Sequence, residues 1–223
     1  MIDLSRRATD PEMLDEGVAP DEAVRSLGDL RFVNRWFGGR KSLLRAVLPF
    51  LDAGAHPRLL DVGCGSADLP ALVLRETGPS TLAVGADIKL LHLQQAPREV
   101  HRVLADVRAL PFAPRTFDVV TASLFLHHFN AHEVPGVLRG LFALAKRALV
   151  VNDLRRAHVP YLFGRLTFPL LFRSRVSVND GLLSIRRAFT HGELAAGFAE
   201  AGIGRVTIRR SFPYRLVAVA EKE

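Results

Sequence analysis

Short apolar runs alternate with helical patterns over the central part of the chain. Five runs have the length of strands: residues 58–62, 81–86, 101–105, 117–124 and 148–152. Three helical patterns lie between them: residues 68–76, 89–96 and 132–144. This alternation is typical of β-α-β units and of a parallel sheet that is buried on both faces.

The carboxyl-terminal pattern is different. Thr190 and Glu193 have the spacing of a capping box, which predicts a helix that ends before Gly202. Two alternating runs follow, 205–212 and 215–220, with only two residues between them. Parallel strands need a longer crossover, so these runs pair in antiparallel fashion. The predicted fold is therefore α/β: a Rossmann-like sheet of seven strands, five parallel plus a C-terminal antiparallel hairpin, with helices on both faces.

The amino-terminal region lies outside this alternation. Residues 21–51 have helical periodicity interrupted at Gly38-Gly39, which predicts two cap helices. Residues 1–20 are mostly polar and rich in acids, with one glycine and two prolines, and indicate a loosely ordered arm. We therefore divide the chain into an arm with cap helices, 1–52, and a main domain, 53–223, with an insertion at about 155–189.

Composition narrows the class of protein. The chain has 223 residues, of which 48% are hydrophobic and 24% charged, as in a soluble domain. The amino terminus lacks the apolar region of a secretory signal, and Cys64 is the only cysteine, so we expect a cytoplasmic location. The net charge of +7 comes from scattered arginines. Because these arginines are scattered, we interpret the charge as a contribution to solubility and favour this over binding of a nucleic acid.

A glycine turn and two acids point to a nucleoside ligand. Gly63 and Gly65 follow the first predicted strand, where glycine lets the backbone approach a ligand closely. Asp87 closes the second strand, where a carboxylate can accept both ribose hydroxyls. Asp106 closes the third strand, where a carboxylate can accept from an adenine amine. The carboxyl ends of consecutive strands converge on one crevice.

These segments resemble a known family. The successive motifs of class I S-adenosylmethionine-dependent methyltransferases are similar to residues 59–65, 85–87 and 105–107 (LLDVGCG, GAD and ADV). The segment 117–129, FDVVTASLFLHHF, resembles the branch that contains quinone-biosynthesis and natural-product methyltransferases. The resemblance extends from about residue 30 to the end. It departs at Ala67, where the family has a third glycine, and lacks a Pro-Gly-Gly element before the fifth strand.

The resemblance implies S-adenosylmethionine as the cofactor and no metal. It implies these contacts: Asp61, Gly63 and Gly65 around the methionine part, Asp87 on the ribose, Ile88 on the adenine face, Asp106 and Val107 on the adenine edge, and Ser123 at the floor. In addition, we expect the segment 34–39 to close over the cofactor, with Arg35 against the cofactor carboxylate.

A histidine and an aspartate are candidates for acid–base chemistry. Related O-methyltransferases pair these residue types at the positions of His127 and Asp153, and a carboxylate orients an imidazole and raises its basicity. We predict His127 as the base and Asp153 as its partner, with His128 as the less favoured base. The acceptor is predicted to be a small aromatic or lipophilic molecule with a phenolic or enolic hydroxyl, as in polyketides.

The insertion leaves several roles open. Residues 161–172 are mostly apolar, and arginines follow them. They can form a lid over the acceptor, lie on a membrane surface, or form a dimer interface or an ordinary core helix. The sequence leaves monomer and homodimer open.

Alternative functions also remain. They are carbon methylation of a quinone precursor, RNA methylation, a catalytically silent cofactor-binding regulator and, least favoured, a dehydrogenase. The Asn/Asp-Pro-Pro-Tyr/Phe signature of amino-group DNA methylation is absent.

Overall fold

A single mixed sheet forms the centre of the molecule. The computed structural model describes residues 2–37, 39–51 and 56–222. The strands are β1 Arg58–Val62, β2 Leu82–Asp87, β3 His101–Leu104, β4 Phe117–Ser123, β5 Ala145–Leu154, β6 Val206–Ser211 and β7 Arg215–Glu221. Their order is β3-β2-β1-β4-β5-β7-β6. The first five strands are parallel, and β7 is antiparallel to both β5 and β6, which confirms the predicted fold.

Helices cover the sheet and the edge where the parallel strands end. They are α1 Met13–Glu16, α2 Pro20–Trp36, α3 Gly39–Leu51, α4 Asp68–Thr77, α5 Leu90–Gln94, α6 Val134–Leu144, α7 His158–Leu171, α8 Arg175–Arg187 and α9 His191–Glu200. The predicted capping box begins α9, because Thr190 and Glu193 each accept a hydrogen bond from the other's backbone N–H. The insertion consists of α7 and α8.

The sheet has an apolar core on each face. Successive side chains of a strand point to opposite faces, so Leu59 and Leu60 belong to different cores. On one face the core includes Leu138 of α6 and Phe198 of α9. On the other face it includes Val47 of α3. Because both faces of the sheet are buried, the sequences of its central strands are continuous apolar runs. Such runs made these strands predictable from the sequence.

The amino-terminal arm is folded, so the prediction of a loosely ordered arm is wrong. Residues 2–16, which we call the strap, pack across the end of the sheet. The Arg7 guanidinium donates to the carbonyl oxygens of His127 and Phe129, at 3.2 and 2.9 Å. The backbone N–H groups of Met13 and Leu14 donate to the Asp180 carboxylate, each at 2.9 Å. Polar side chains from elsewhere in the chain thus hold a segment that lacks its own apolar periodicity.

Two predicted features cannot be compared with the structure. Gly38, half of the predicted break between the cap helices, lies outside the described residues, as does the domain boundary between residues 52 and 53. The two cap helices themselves are observed as α2 and α3.

Candidate active site

The carboxyl ends of the parallel strands enclose a cavity of about 190 Å³. β1 contributes Asp61 and the glycine turn that follows it, and β4 contributes Ser123 and the two histidines beyond it. The strap and α8 close the cavity from outside the sheet with Glu12 and Ser184. The cavity therefore lies at the edge of the sheet where the sequence predicted a ligand.

Asp61 is a buried carboxylate in the cavity wall. Its Oδ1 accepts a 2.6 Å hydrogen bond from the Thr121 hydroxyl. Burial, with a smaller contribution from the charges of Asp68 and Asp87, raises the pKa of Asp61 to about 7. A cationic group in the cavity would favour the ionised form, because opposite charges attract strongly where water is excluded. The site thus fits a ligand with an ammonium or sulfonium charge, as S-adenosylmethionine has.

The turn after β1 needs residues with positive φ. Gly63 and Gly65 have φ of +63° and +55°, and Ala67 adopts the left-handed region at +54°. A Cβ on Gly63 would lie 2.1 Å from the Phe125 ring, so packing as well as conformation requires glycine there. Ala67, which departs from the family pattern, therefore keeps the backbone conformation of a glycine at some cost in strain.

Asp87 ties the glycine turn to the end of β2. Its two carboxylate oxygens accept from the backbone N–H groups of Gly65 and Lys89, each at 2.8 Å. Ile88 follows with an exposed side chain. Neither residue lines the 190 Å³ cavity. They lie beside the cavity, at the outer end of the glycine turn.

The remaining predicted cofactor residues occupy two places. Asp106 lies at the end of β3 and accepts from the backbone N–H of Arg108 at 2.9 Å, and Val107 packs against the core. Both lie outside the cavity wall. Ser123 lies within it, and its hydroxyl accepts a 3.1 Å hydrogen bond from the buried amide of Asn152.

Arg35 does not reach the cavity. Its guanidinium lies over the Trp36 ring, 5.5 Å from the ring centroid, and the side chain is exposed. Arg31, one helical turn earlier in α2, lies beside the glycine turn instead. Its Nε donates to the Ser66 hydroxyl and the Asp68 carboxylate, at 3.1 and 3.0 Å. Arg31, and not Arg35, is thus the arginine of α2 that contacts the glycine turn.

His127 and Asp153 form a buried pair. The His127 Nδ1 lies 2.7 Å from the Asp153 Oδ1, and the backbone N–H of His127 donates to Oδ2 at 3.2 Å. Burial alone would lower the pKa of His127, but the charges and hydrogen bonds of Asp153 and Glu12 outweigh it and raise this pKa to about 10. Burial alone would raise the pKa of Asp153, and His127 reverses this and holds it below its usual range.

A carboxylate from the strap faces both histidines. Glu12 Oε1 lies 3.5 Å from the Nε2 of His127, and its Oε2 lies 3.9 Å from the Nε2 of His128. The Nδ1 of His128 lies 2.6 Å from the Asp15 carboxylate. Ligand atoms of Glu12, His127 and His128 all lie within 4.8 Å of one another, so these residues could also hold a divalent cation.

No local sequence pattern indicates the residues that hold this arrangement in place. The Ser184 hydroxyl donates to Glu12 at 2.6 Å. The buried Arg187 donates to the carbonyl oxygens of His127 and His128, at 2.9 and 2.6 Å. Glu12 lies in a polar segment and Arg187 on a helix of the insertion, and neither belongs to a local motif. Only the folded chain brings them to the end of β4.

A second cavity, of about 410 Å³, adjoins the first. Both walls include Val33 of α2 and three further residues, Leu154, Phe168 and Ile185. The rest of the second wall is largely aromatic or aliphatic: Trp36, Phe37, Val159, Pro160, Phe163, Phe212, Pro213 and Tyr214, with the side chains of Arg155 and Arg215. We call it the apolar cavity, and the first the polar cavity.

Arg215 is the buried cation of the apolar cavity. Its Nε donates to the Phe37 carbonyl oxygen at 3.3 Å, and its Nη2 donates to the Asn34 side chain at 3.1 Å. Its Nη1 has no hydrogen-bond partner among the described residues. Burial lowers the pKa of Arg215 to about 10, against the opposing charge of Asp153. The guanidinium remains charged at neutral pH, and both N–H groups of Nη1 are unpaired among the described residues.

Comparisons with known proteins agree with this geometry. Residues 59–148 match the family described as a methyltransferase domain. A 2-phytyl-1,4-naphtoquinone methyltransferase from Thermosynechococcus vestitus is 33% identical over 48% of this chain and 50% of its own length. A demethylmenaquinone methyltransferase from Thermus thermophilus is 38% identical over 35% of this chain and 39% of its own. The chain spans half or less of the length of these two relatives.

Solved structures share the fold. A SAM-dependent methyltransferase from Aquifex aeolicus superposes with a TM-score of 0.65 at 16% identity, over 92% of this chain and 99% of its own. A magnesium protoporphyrin IX methyltransferase from Synechocystis, solved with bound SAH, gives 0.57 at 18% identity, over 86% and 87%. The matched domain, the strand order and the glycine turn together support a class I S-adenosylmethionine-dependent methyltransferase.

Proposed function

We propose that this protein transfers a methyl group from S-adenosylmethionine to a hydroxyl oxygen of a small aromatic or enolic acceptor with a lipophilic part. The observation that carries the proposal is the His127–Asp153 pair, in which the buried Asp153 holds His127 in the wall of the polar cavity, next to the apolar one. A base beside the cofactor site and an apolar space behind it are what such a reaction needs.

The cofactor would use the residues at the strand ends. Asp61, Gly63 and Gly65 would hold the methionine part, with Ser123 at the floor. Asp87 would accept hydrogen bonds from the ribose hydroxyls. Ile88 would pack on the adenine face, and Asp106 and Val107 would contact the adenine edge. The bound cofactor supplies an electrophilic methyl group on a sulfonium, and the protein supplies position and charge. The buried Asp61 carboxylate, which suits a cationic ligand, supports this assignment.

His127 would remove the acceptor's proton. Asp153 holds Nδ1, so Nε2 is the nitrogen that faces the cavity and Glu12. The step needs the neutral imidazole, because only an unprotonated Nε2 can accept a proton. The oxygen of the acceptor would take the methyl group, and its proton would pass to Nε2.

The acceptor would have to displace the Glu12 carboxylate from its position opposite the His127 Nε2. With Glu12 opposite Nε2, the imidazole is protonated at neutral pH and cannot act as a base. Displacing this carboxylate removes a charge that raises the pKa of His127, which returns the imidazole towards its neutral form. Entry of the acceptor and activation of the base would therefore be coupled through the strap.

The apolar cavity supports an acceptor with a lipophilic part. Its wall is mostly aromatic and aliphatic, and each buried methylene group of a tail favours binding by about 0.8 kcal/mol. The positive charge of Arg215 in this wall would favour an acceptor with a second oxygen, as a dihydroxyaromatic ring or a quinol has. Two curated relatives act on naphthoquinone or menaquinone precursors by name, which agrees with this class.

Carbon methylation of a quinone precursor is the second candidate, and the names of those relatives favour it. The two reactions leave the methyl group on different atoms. Both need the ring hydroxyl to lose its proton, so His127 would serve either. The position of the methyl group in the product separates them.

The test is a transfer assay with labelled S-adenosylmethionine and a series of alkylated phenols, resorcinols and quinols. We expect methylation that improves with alkyl length, and mass spectrometry of the product should locate the methyl group on oxygen. A chelator should leave the rate unchanged, because the proposal uses His127 as a base and not as a metal ligand. Lack of methylation of every acceptor by a protein that binds the cofactor would contradict the proposal and favour a silent cofactor-binding role.

A further inference from the structure

α7 is apolar on two opposite sides. Gly164 and Phe168 face α8, where the Phe168 ring packs against Gly181. The opposite stripe contains Val159, Leu162, Phe163, Leu166 and Leu170, at the i, i+3, i+4, i+7, i+11 spacing of one helical face. All five side chains are exposed, with Leu166 at 74% and Leu170 at 85%. A helix that is hydrophobic all round is normally buried, so this stripe requires a partner.

Two further exposed aromatic residues extend the stripe. Trp36 ends α2, and Phe212 lies at the β6–β7 turn with 88% of its surface exposed. Both line the apolar cavity together with Val159 and Phe163. We call Trp36, the five stripe residues and Phe212 the apolar face. Since four of its members also form the cavity wall, the apolar face and the apolar cavity are continuous.

Positive charge accompanies the apolar face. Residues 154–179 contain five arginines and no acidic residue. Arg165, Arg173 and Arg175, on α7 and at the start of α8, are exposed. Near Phe212, the side chains of Arg209 and Arg210 are also exposed. An exposed apolar stripe flanked by cations is complementary to the surface of an anionic bilayer.

We infer that the apolar face binds the surface of an anionic lipid bilayer, with α7 lying in the interface plane. At 14 residues, α7 is about 21 Å long, whereas the hydrocarbon core is about 30 Å thick, so it suits lying on a membrane. Among the described residues, no helix has the length and apolar character to cross a bilayer. A second copy of the chain fits this face less well, because the pairing would bring two sets of arginines together.

The binding would give a lipophilic acceptor a direct route into the protein. A molecule in the outer part of the bilayer would meet the apolar cavity without crossing water, since the same residues form its wall and the membrane-facing surface. This purpose rests on the proposed function. The binding itself does not, because it involves neither the cofactor nor His127.

Vesicle flotation of the full-length protein, without cofactor or acceptor, tests the inference. We expect binding to vesicles of phosphatidylglycerol and phosphatidylcholine, weaker binding to phosphatidylcholine alone, and loss of most binding at high salt. Leu166→Glu with Leu170→Glu should weaken binding at least tenfold. Leu104→Glu, an equivalent change at an exposed leucine at the end of β3, is the matched control and should bind as the wild type does.

Three results would overturn the inference. The first is a wild-type protein that does not bind anionic vesicles, and the second is a double variant that binds them as well as the wild type. The third is a stable dimer in sedimentation that Leu166→Glu with Leu170→Glu dissociates while no vesicle binding occurs, which would assign the face to a second copy. Because the double substitution lies on exposed positions, circular dichroism should show an unchanged fold. Failure of methyl transfer would leave the vesicle result standing.

Discussion

The polar and apolar cavities share a wall but are built from different parts of the chain. The polar cavity is formed at the ends of β1 and β4, with buried charged groups whose pKa values are shifted, above all Asp61 and His127. The apolar cavity is formed mostly by segments outside the parallel strands, namely the end of α2, α7 and the β6–β7 turn. In the proposed function, the ends of the sheet strands would supply the chemistry, and the added segments would select the acceptor.

This difference separates two kinds of substitution. Changes in the polar cavity should alter rate, cofactor affinity and pH dependence. Changes in the apolar cavity should alter only the choice of acceptor. The predictions that follow test whether the two sets of effects remain separate.

The largest effect is expected for His127→Gln. Loss of a positioned base should lower kcat by about 10²- to 10⁴-fold, while binding of S-adenosylhomocysteine is retained. Stopped-time methyl-transfer assays and calorimetry measure the two quantities. His128→Gln is the matched control, and its kcat should fall much less. Equal losses in the two variants would remove the special role of the pair with Asp153.

Val33→Trp should narrow the junction of the cavities. Val33 belongs to both walls, and a misfit of about one methylene group in an apolar pocket costs about 1–3 kcal/mol of acceptor binding. We expect KM to rise ten- to hundredfold for an acceptor with a long alkyl chain, with little change for a short one. Val24→Trp, at an exposed position of the same helix, serves as the control. Equal rises in KM for both acceptors would mean that the tail does not use the apolar cavity.

Cofactor affinity should depend on pH through Asp61. A carboxyl whose pKa is raised to about 7 is mostly protonated at pH 6 and mostly ionised at pH 8. A cationic ligand binds the ionised form better, so affinity for S-adenosylmethionine should rise about tenfold between these values. Asp61→Asn, which keeps the shape of the side chain, should bind weakly and without this dependence. A flat wild-type curve would show that Asp61 does not face the charged part of the cofactor.

The smallest effect is expected for Glu12→Gln. The Glu12 carboxylate helps to raise the pKa of His127, so its removal lowers that pKa and leaves more imidazole unprotonated at a given pH. The acidic limb of the kcat/KM profile should therefore move to lower pH, by about one unit or less. Glu16→Gln, an exposed residue at the end of the same strap, should leave the profile unchanged.

The sheet and its ligand edge could be predicted because their patterns are local. Asp61, Gly63 and Asp87 each follow or end a continuous apolar run, and the parallel arrangement brings these ends together. The pairing of His127 with Asp153 was implied by the family resemblance, and the two residues lie at the neighbouring ends of β4 and β5. For these residues, spacing along the chain determines position in space.

The strap and α8, which close the polar cavity, could not be predicted to lie there. Polar contacts between distant parts of the chain hold them in position. Glu12 is held by Ser184 and Asp180 fixes α1, although more than 160 residues separate these groups in the chain. No periodicity of the polar strap encodes that docking. The position of Arg35 away from the polar cavity has a related cause. The direction in which α2 crosses the site depends on its packing against α3 and α8, which the sequence of α2 alone does not reveal.

Calorimetric titration shows most directly whether S-adenosylmethionine is the cofactor of this protein. Wild-type protein is titrated with S-adenosylmethionine, S-adenosylhomocysteine and NADH, and the adenosyl ligands are repeated with Asp87→Ala. We expect both adenosyl ligands to bind the wild type and to bind the variant at least tenfold more weakly. We expect no binding of NADH. A folded wild-type protein that binds neither adenosyl ligand, or that binds NADH instead, would contradict this assignment of the cofactor.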